Sequence, residues 1–152
     1  MNEDALIKAS EVTKVYHIGD VESHALRGVT MEVTPGDFLA IVGPSGSGKT
    51  TFLNLVGALD RPTSGDLEVF GKRIAELGKS ERADLRLHRL GFVFQAYNLV
   101  PVLTARENVE FVLELQGMGG ERSQRASEIL DRLGLADFAD RRPNEMSGGQ
   151  QQ

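Results

Sequence analysis

Residues 38–42 form an uninterrupted apolar run that opens directly into Gly43-Pro44-Ser45-Gly46-Ser47-Gly48-Lys49-Thr50. Apolar residues then recur at helical spacing, as Phe52, Leu53, Val56 and Leu59. This order predicts a buried strand, a tight loop and a helix spanning residues 49–59. The loop fits the P-loop pattern GxxxxGK followed by Ser or Thr, in the strand-to-helix setting that its mechanism needs. Its glycines let backbone amides turn inward around phosphate oxygens, and the helix adds the positive end of its dipole. Lys49 is placed to set its ammonium between β- and γ-phosphates, Thr50 to bring a hydroxyl to Mg²⁺, and Thr51 to reach an α-phosphate. With Gly43, Ser45, Gly46, Ser47 and Gly48 they make a candidate site for an oligophosphate. A P-loop by itself does not choose among kinases, GTPases, helicases and transport ATPases.

Composition narrows the surroundings of that site. The 152 residues are 40% hydrophobic and 26% charged, which is ordinary globular usage. A net charge of -5 argues against a general nucleic-acid binder, so any anion site must be local. There is no cysteine, which fits a reducing compartment. The first twenty residues open with acids and hold no secretory apolar core, and no stretch approaches the roughly twenty apolar positions of a membrane span. A membrane role is expected only through a partner.

Around the P-loop the pattern alternates β and α. Val29, Met31 and Val33 alternate with polar neighbours before the turn Pro35-Gly36-Asp37, and Leu67, Val69 and Phe70 read as a short strand closed by Gly71-Lys72. Residues 80–90 read as a helix stopped by Gly91, and Phe92-Val93-Phe94 as a second buried strand ending on Gln95. Thr104-Ala105-Arg106-Glu107 has capping-box spacing, with Val109, Val112 and Leu113 following; Gly117 ends that helix. Ala126, Ile129, Leu130 and Leu133 mark another, stopped by Gly134. The charges of residues 82–89 read as a solvated face. His17, His24 and His88 show no spacing for a metal or a triad.

Ser147-Gly148-Gly149-Gln150, preceded by Met146, resembles the LSGGQ signature of ATP-binding cassette (ABC) ATPases, and with a P-loop in the same chain the pair is specific. Gly91-Phe92-Val93-Phe94-Gln95 resembles that family's Q-loop, and Tyr16 falls where the family has its adenine-stacking aromatic. The segments GPSGSGKTT, DRPTSG, GFVFQAYNLVP, LTARENV and SGGQQQ look most like the subgroup serving lipoprotein release and macrolide-type export.

The resemblance implies an α/β fold: a P-loop NTPase (RecA-like) core with an antiparallel β subdomain and a helical subdomain, with residues 1–95 in the first part and 96–152 in the helical part. It implies ATP and Mg²⁺ as cofactors. Tyr16 is expected to stack on adenine, Gln95 to touch Mg²⁺ or water and couple ATP state to a transporter, and Ser147, Gly148, Gly149 and Gln150 to serve a γ-phosphate in trans within a head-to-tail dimer. The implied partners are a membrane permease and a second ATP-binding subunit, with no nucleic acid, at the cytoplasmic face of the cell membrane. Residues 95–104 are expected to dock a cytoplasmic helix of the permease through Tyr97, Leu99, Val100 and Pro101. The family's Walker B Asp, catalytic Glu and switch His lie beyond Gln152. The 152-residue chain is therefore expected to lack the Walker B and switch strands, to leave the strand edges 38–42 and 92–94 unpaired, to bind nucleotide without turnover, to be marginally stable, and to leave its signature turn absent or frayed. The competing readings are a soluble non-transport ABC ATPase and an inactive fragment.

Overall fold

In a computed structural model that describes residues 5–19 and 21–152, the first strand breaks the alternation a strand should keep. Ala9 and Val12 of β1 (Ile7–Ile18) are both fully buried, although residues three apart in a regular strand point to opposite faces. An extra residue reconciles them: Glu11 sits at φ 49°, and both ladders of β1 shift register around it. Thr30 supports this bulge, its hydroxyl accepting from the Glu11 amide at 3.0 Å and donating to Glu11 Oε1 at 2.9 Å. Gly65 lies against it at φ 80°, where a β-carbon would fall on the Glu11 carbonyl.

β1 is the centre of an antiparallel sheet in the order β2, β1, β3, β4, with β2 at Val21–Val33, β3 at Ser64–Val69 and β4 at Lys72–Arg73. Against it pack the helices α1 (Lys49–Val56) and α2 (Lys79–Arg89), through Phe52, Leu55 and Leu85. With Ala9, Val12, Leu26, Leu67, Val69 and Ile74 they make the core of the unit Met1–Leu90. α1 stops short of the expected Leu59. Leu59 N donates to Asn54 O and Ala58 N to Leu55 O, both at 2.9 Å, with Ala58 left-handed at φ 53°, which is a Schellman turn.

Asp84, His88 and Arg89 keep the expected solvated face of α2, and two of its arginines depart from it. Arg86 Nη1 donates to Ala58 O at 2.7 Å and Arg82 Nη1 to Leu59 O at 3.4 Å, so two cations meet the carbonyl end of α1.

The second unit, Gly91–Gln152, holds α3 (Ala105–Leu115), α4 (Arg122–Arg132) and the single turn α5 (Gly148–Gln151). Thr104 and Glu107 form the expected capping box of α3, at 3.2 Å and 2.7 Å. The hydrogen bonds from Thr104 to the Glu107 carboxylate hold its pKa below the usual range. Gly117 and Gly134 follow α3 and α4 at φ 82° and 69°. The buried core here is Ala105, Leu130, Ala139 and Met146.

Two expected strands are not formed. Residues 38–42 carry no ladder, with Phe38 99% and Val42 86% exposed, and residues 92–94 carry none, with Val93 85% exposed. Both segments are left unpaired, as expected: a strand exists only as one side of a pair, and no strand among the described residues lies along either. The P-loop and its helix form regardless. The signature turn is a further correction: it is present, not frayed. Ser147 Oγ accepts from Gln150 N at 3.4 Å and Gln150 Oε1 from Ser147 N at 2.8 Å, so a capping box offsets part of the nucleation cost of so short a helix.

Candidate functional site

The turn before the P-loop is fixed by Asp37, whose Oδ2 accepts from Thr34 N at 2.6 Å and Thr34 Oγ1 at 2.8 Å. Those bonds hold the Asp37 carboxyl below the usual carboxylate range. The loop that follows delivers Gly48, at φ 88°, as the N-cap of α1. A β-carbon on Gly48 would strike the Ala25 carbonyl and Leu26 Cδ2 of β2, so only glycine lets the loop lie this close to the sheet.

Unlike α3, α1 has no side chain bonded to its first amides and no acid in its first turn. Those amides and the positive end of the helix remain available to an anion. Lys49 Nζ reaches back over the loop, donating to Gly43 O and Pro44 O at 2.8 Å each and to Ser47 Oγ at 3.4 Å. The result is a cavity of about 280 Å³ walled by the P-loop residues Ser45 to Thr51 and by Ser23, His24 and Ala25 of β2. No carboxylate among the described residues lines it, which suits an anion in a chain of net charge -5.

The three β2 residues are the part of the wall that motif reading does not supply. Their position follows from the hairpin register, which pairs Tyr16 with Ser23 and Val15 with His24. His24 Nε2 and His17 Nδ1 both approach the Glu22 carboxylate, at 3.9 Å and 3.7 Å.

Tyr16 is half-buried and does not line the cavity itself. Its hydroxyl donates to Asp60 Oδ2 at 3.1 Å, which ties the tyrosine to the segment that follows the P-loop helix. Burial, with the neighbouring Asp60 carboxylate, raises the Tyr16 pKa. Burial would also raise that of Asp60, but bonds from Lys14, the Arg61 amide and Tyr16, with the Lys14 charge, hold it below the usual range.

Gln95 and the signature belong to the second unit. Gln95 is exposed. The Tyr97 hydroxyl packs on Gly148, where a β-carbon would sit 2.7 Å from it, and Gln152 Nε2 donates to Phe94 O at 3.3 Å. Asn108 fixes the intervening loop: its Oδ1 accepts from Val100 N at 2.8 Å, and its Nδ2 donates to Val100 O, Leu103 O and Thr104 O. Residues 43–51, Tyr16 and β2 thus come together in one unit, and the segment from Gln95 to Gln150 is assembled in the other.

Comparison with known proteins gives this geometry a family. The profile described as ABC transporter matches residues 26–152. An uncharacterised ABC transporter ATP-binding protein of Thermotoga maritima is 48% identical over 143 residues, covering 93% of this chain and 61% of that protein. The macrolide export ATP-binding/permease protein MacB of Syntrophobacter fumaroxidans is 45% identical, over 97% of this chain and 21% of that one. The pyoverdine export protein PvdT of Pseudomonas fluorescens is 48% identical, over 97% and 23%. Among solved structures, the dimeric ATP-binding cassette MJ0796 bound to ADP and Pi superposes with a TM-score of 0.86 at 43% identity, covering 95% of this chain and 65% of that one. The chain thus spans less than two thirds of the proteins it matches. The profile match, the level of identity and the shared fold agree: this chain belongs to the family of ABC transporter ATP-binding proteins.

Proposed function

We propose that this chain is the ATP-binding part of an ABC transporter subunit that couples ATP to export or lipoprotein release through a membrane permease. The observation that carries the reading is the uncapped N-terminus of α1 beneath the P-loop, with Lys49 Nζ held over the same cavity. Oligophosphate chemistry suits it: inward amides, one ammonium and, among the described residues, no lining carboxylate. Gly43, Ser45, Gly46, Ser47, Gly48, Lys49, Thr50 and Thr51 hold the phosphates, and Tyr16 supplies a face for adenine.

Thr50 lines the cavity, and its hydroxyl is the kind of oxygen donor magnesium takes, so the site fits a metal that arrives with the nucleotide. Such an ion neutralises phosphate charge, and Gln95 is assigned as its second protein contact. Ser147, Gly148, Gly149 and Gln150 serve a nucleotide held by a second ATP-binding subunit, and residues 95–104 dock the permease at the cytoplasmic face of the membrane through Tyr97, Leu99, Val100 and Pro101. No helix among the described residues is long and apolar enough to cross a membrane. Residues 1–152 are assigned nucleotide binding without turnover. Co-purification with a permease tests the assembly: Leu99→Asp should abolish it, and assembly that survives the charge would count against the docking surface.

A further inference from the structure

We infer that Lys14 and Asp60 form a clamp that fixes the plane of the Tyr16 ring and leaves one face of it to a nucleobase, an inference that rests on the nucleotide reading of the P-loop cavity. Lys14 and Tyr16 are two residues apart on β1 and share a face of the strand. The Lys14 ammonium lies 4.9 Å from the Tyr16 ring centroid, within cation–π range. It is not a free surface lysine: its side chain is 12% exposed, and Nζ is 2.8 Å from both Asp60 Oδ2 and Arg61 O. Asp60 is fixed in turn. Its Oδ1 accepts from Arg61 N at 2.7 Å, and its Oδ2 takes the Tyr16 hydroxyl at 3.1 Å as well as Lys14.

The ring is therefore held at its hydroxyl by Asp60 and on one face by the ammonium. A base that stacks on Tyr16 uses the opposite face and meets a ring already in place, which removes the cost of ordering it on binding. The ammonium also draws ring density toward itself and so favours an electron-rich partner such as a purine. A bland role is available to the same contacts: Lys14 and Asp60 could simply pin β1 to the end of α1. The two roles differ in what they do to a ligand that has phosphates and no base.

The test is equilibrium binding of ATP and of inorganic tripolyphosphate, at fixed salt, to the 152-residue chain and to Lys14→Met, Lys14→Arg, Asp60→Asn and Lys49→Ala. Lys14→Met and Asp60→Asn should each weaken ATP about tenfold, or roughly 1.4 kcal/mol, and leave tripolyphosphate unchanged. Lys14→Arg, which keeps a cation over the ring, should retain ATP affinity. Lys14→Met removes a positive charge and Asp60→Asn a negative one, so a bulk electrostatic effect would move them in opposite directions; the clamp moves both the same way. Unchanged tripolyphosphate affinity also reports that the P-loop of each variant is folded. Equal losses for ATP and tripolyphosphate, or no loss for either, would overturn the clamp. If Lys49→Ala leaves the binding of both ligands as in the parent, the nucleotide reading itself fails and the clamp falls with it.

Discussion

At the scale of single residues, Gly48 carries more of the site than its lack of a side chain suggests. It must be left-handed, and it must let the loop touch the Ala25 carbonyl. Gly48→Ala should therefore cost nucleotide affinity by at least tenfold while leaving the β1–β2 hairpin intact, as read by titration and by amide protection. Tyr16→Ala should weaken ATP by about 1–3 kcal/mol, the usual worth of a base stacked on an aromatic ring. Asp60 adds a pH dependence whose sign is fixed. Its folded pKa lies below that of the unfolded chain, so its contribution is complete above the ordinary carboxylate value, near about 4, and is lost as pH falls through the folded value. The stability gap between the parent and Asp60→Asn should therefore close as pH is lowered below that range in thermal melts. The site residues were legible in the sequence because glycine spacing and a lysine at a helix start are local facts. Ser23, His24 and Ala25 were not, because they reach the cavity through a strand register that no motif encodes.

At the scale of elements, legibility follows how local the determinants are. The capping box at Thr104 and the glycine stops at Gly117 and Gly134 sit where the spacing places them, because each is decided within a few residues. β1 is harder to read, since the bulge at Glu11 breaks the period-two pattern between Ala9 and Val12. The bulge makes its own prediction. Gly65→Ala puts a β-carbon onto the Glu11 carbonyl at a positive φ, and should lower the melting temperature well beyond an ordinary surface change. Thr104→Ala removes the side-chain cap of α3 and should cost about 1 kcal/mol in denaturant unfolding. Residues 38–42 and 92–94 mark the limit of local reading. Five apolar residues in a row state that a segment is made for burial, but the partner that would bury it is a non-local fact.

At the scale of the whole molecule, the two units differ in what holds them together. The Met1–Leu90 unit buries a continuous set of large side chains that includes Leu55, Leu67, Ile74 and Leu85, whereas the buried apolar residues described in the Gly91–Gln152 unit are three alanines with Leu113, Leu130 and Met146. The second unit also contains an apolar cavity of about 580 Å³ whose lining includes Val109, Val112, Ile129 and Leu133. Hydrogen exchange should accordingly find the slowest amides in β1, β2 and α1 and faster exchange across α3 and α4. Leu55→Ala, at a fully buried position, should cost about 2–5 kcal/mol and be felt in the first unit. The central claim is that the P-loop unit binds a nucleotide through Lys49 and the first turn of α1. Calorimetric titration of the 152-residue chain with Mg-ATP tests it most directly. Saturable binding that is lost in Lys49→Ala, with both proteins giving the same circular dichroism, is the predicted result, and equal affinity in the two, or no binding by the folded parent chain, would contradict it.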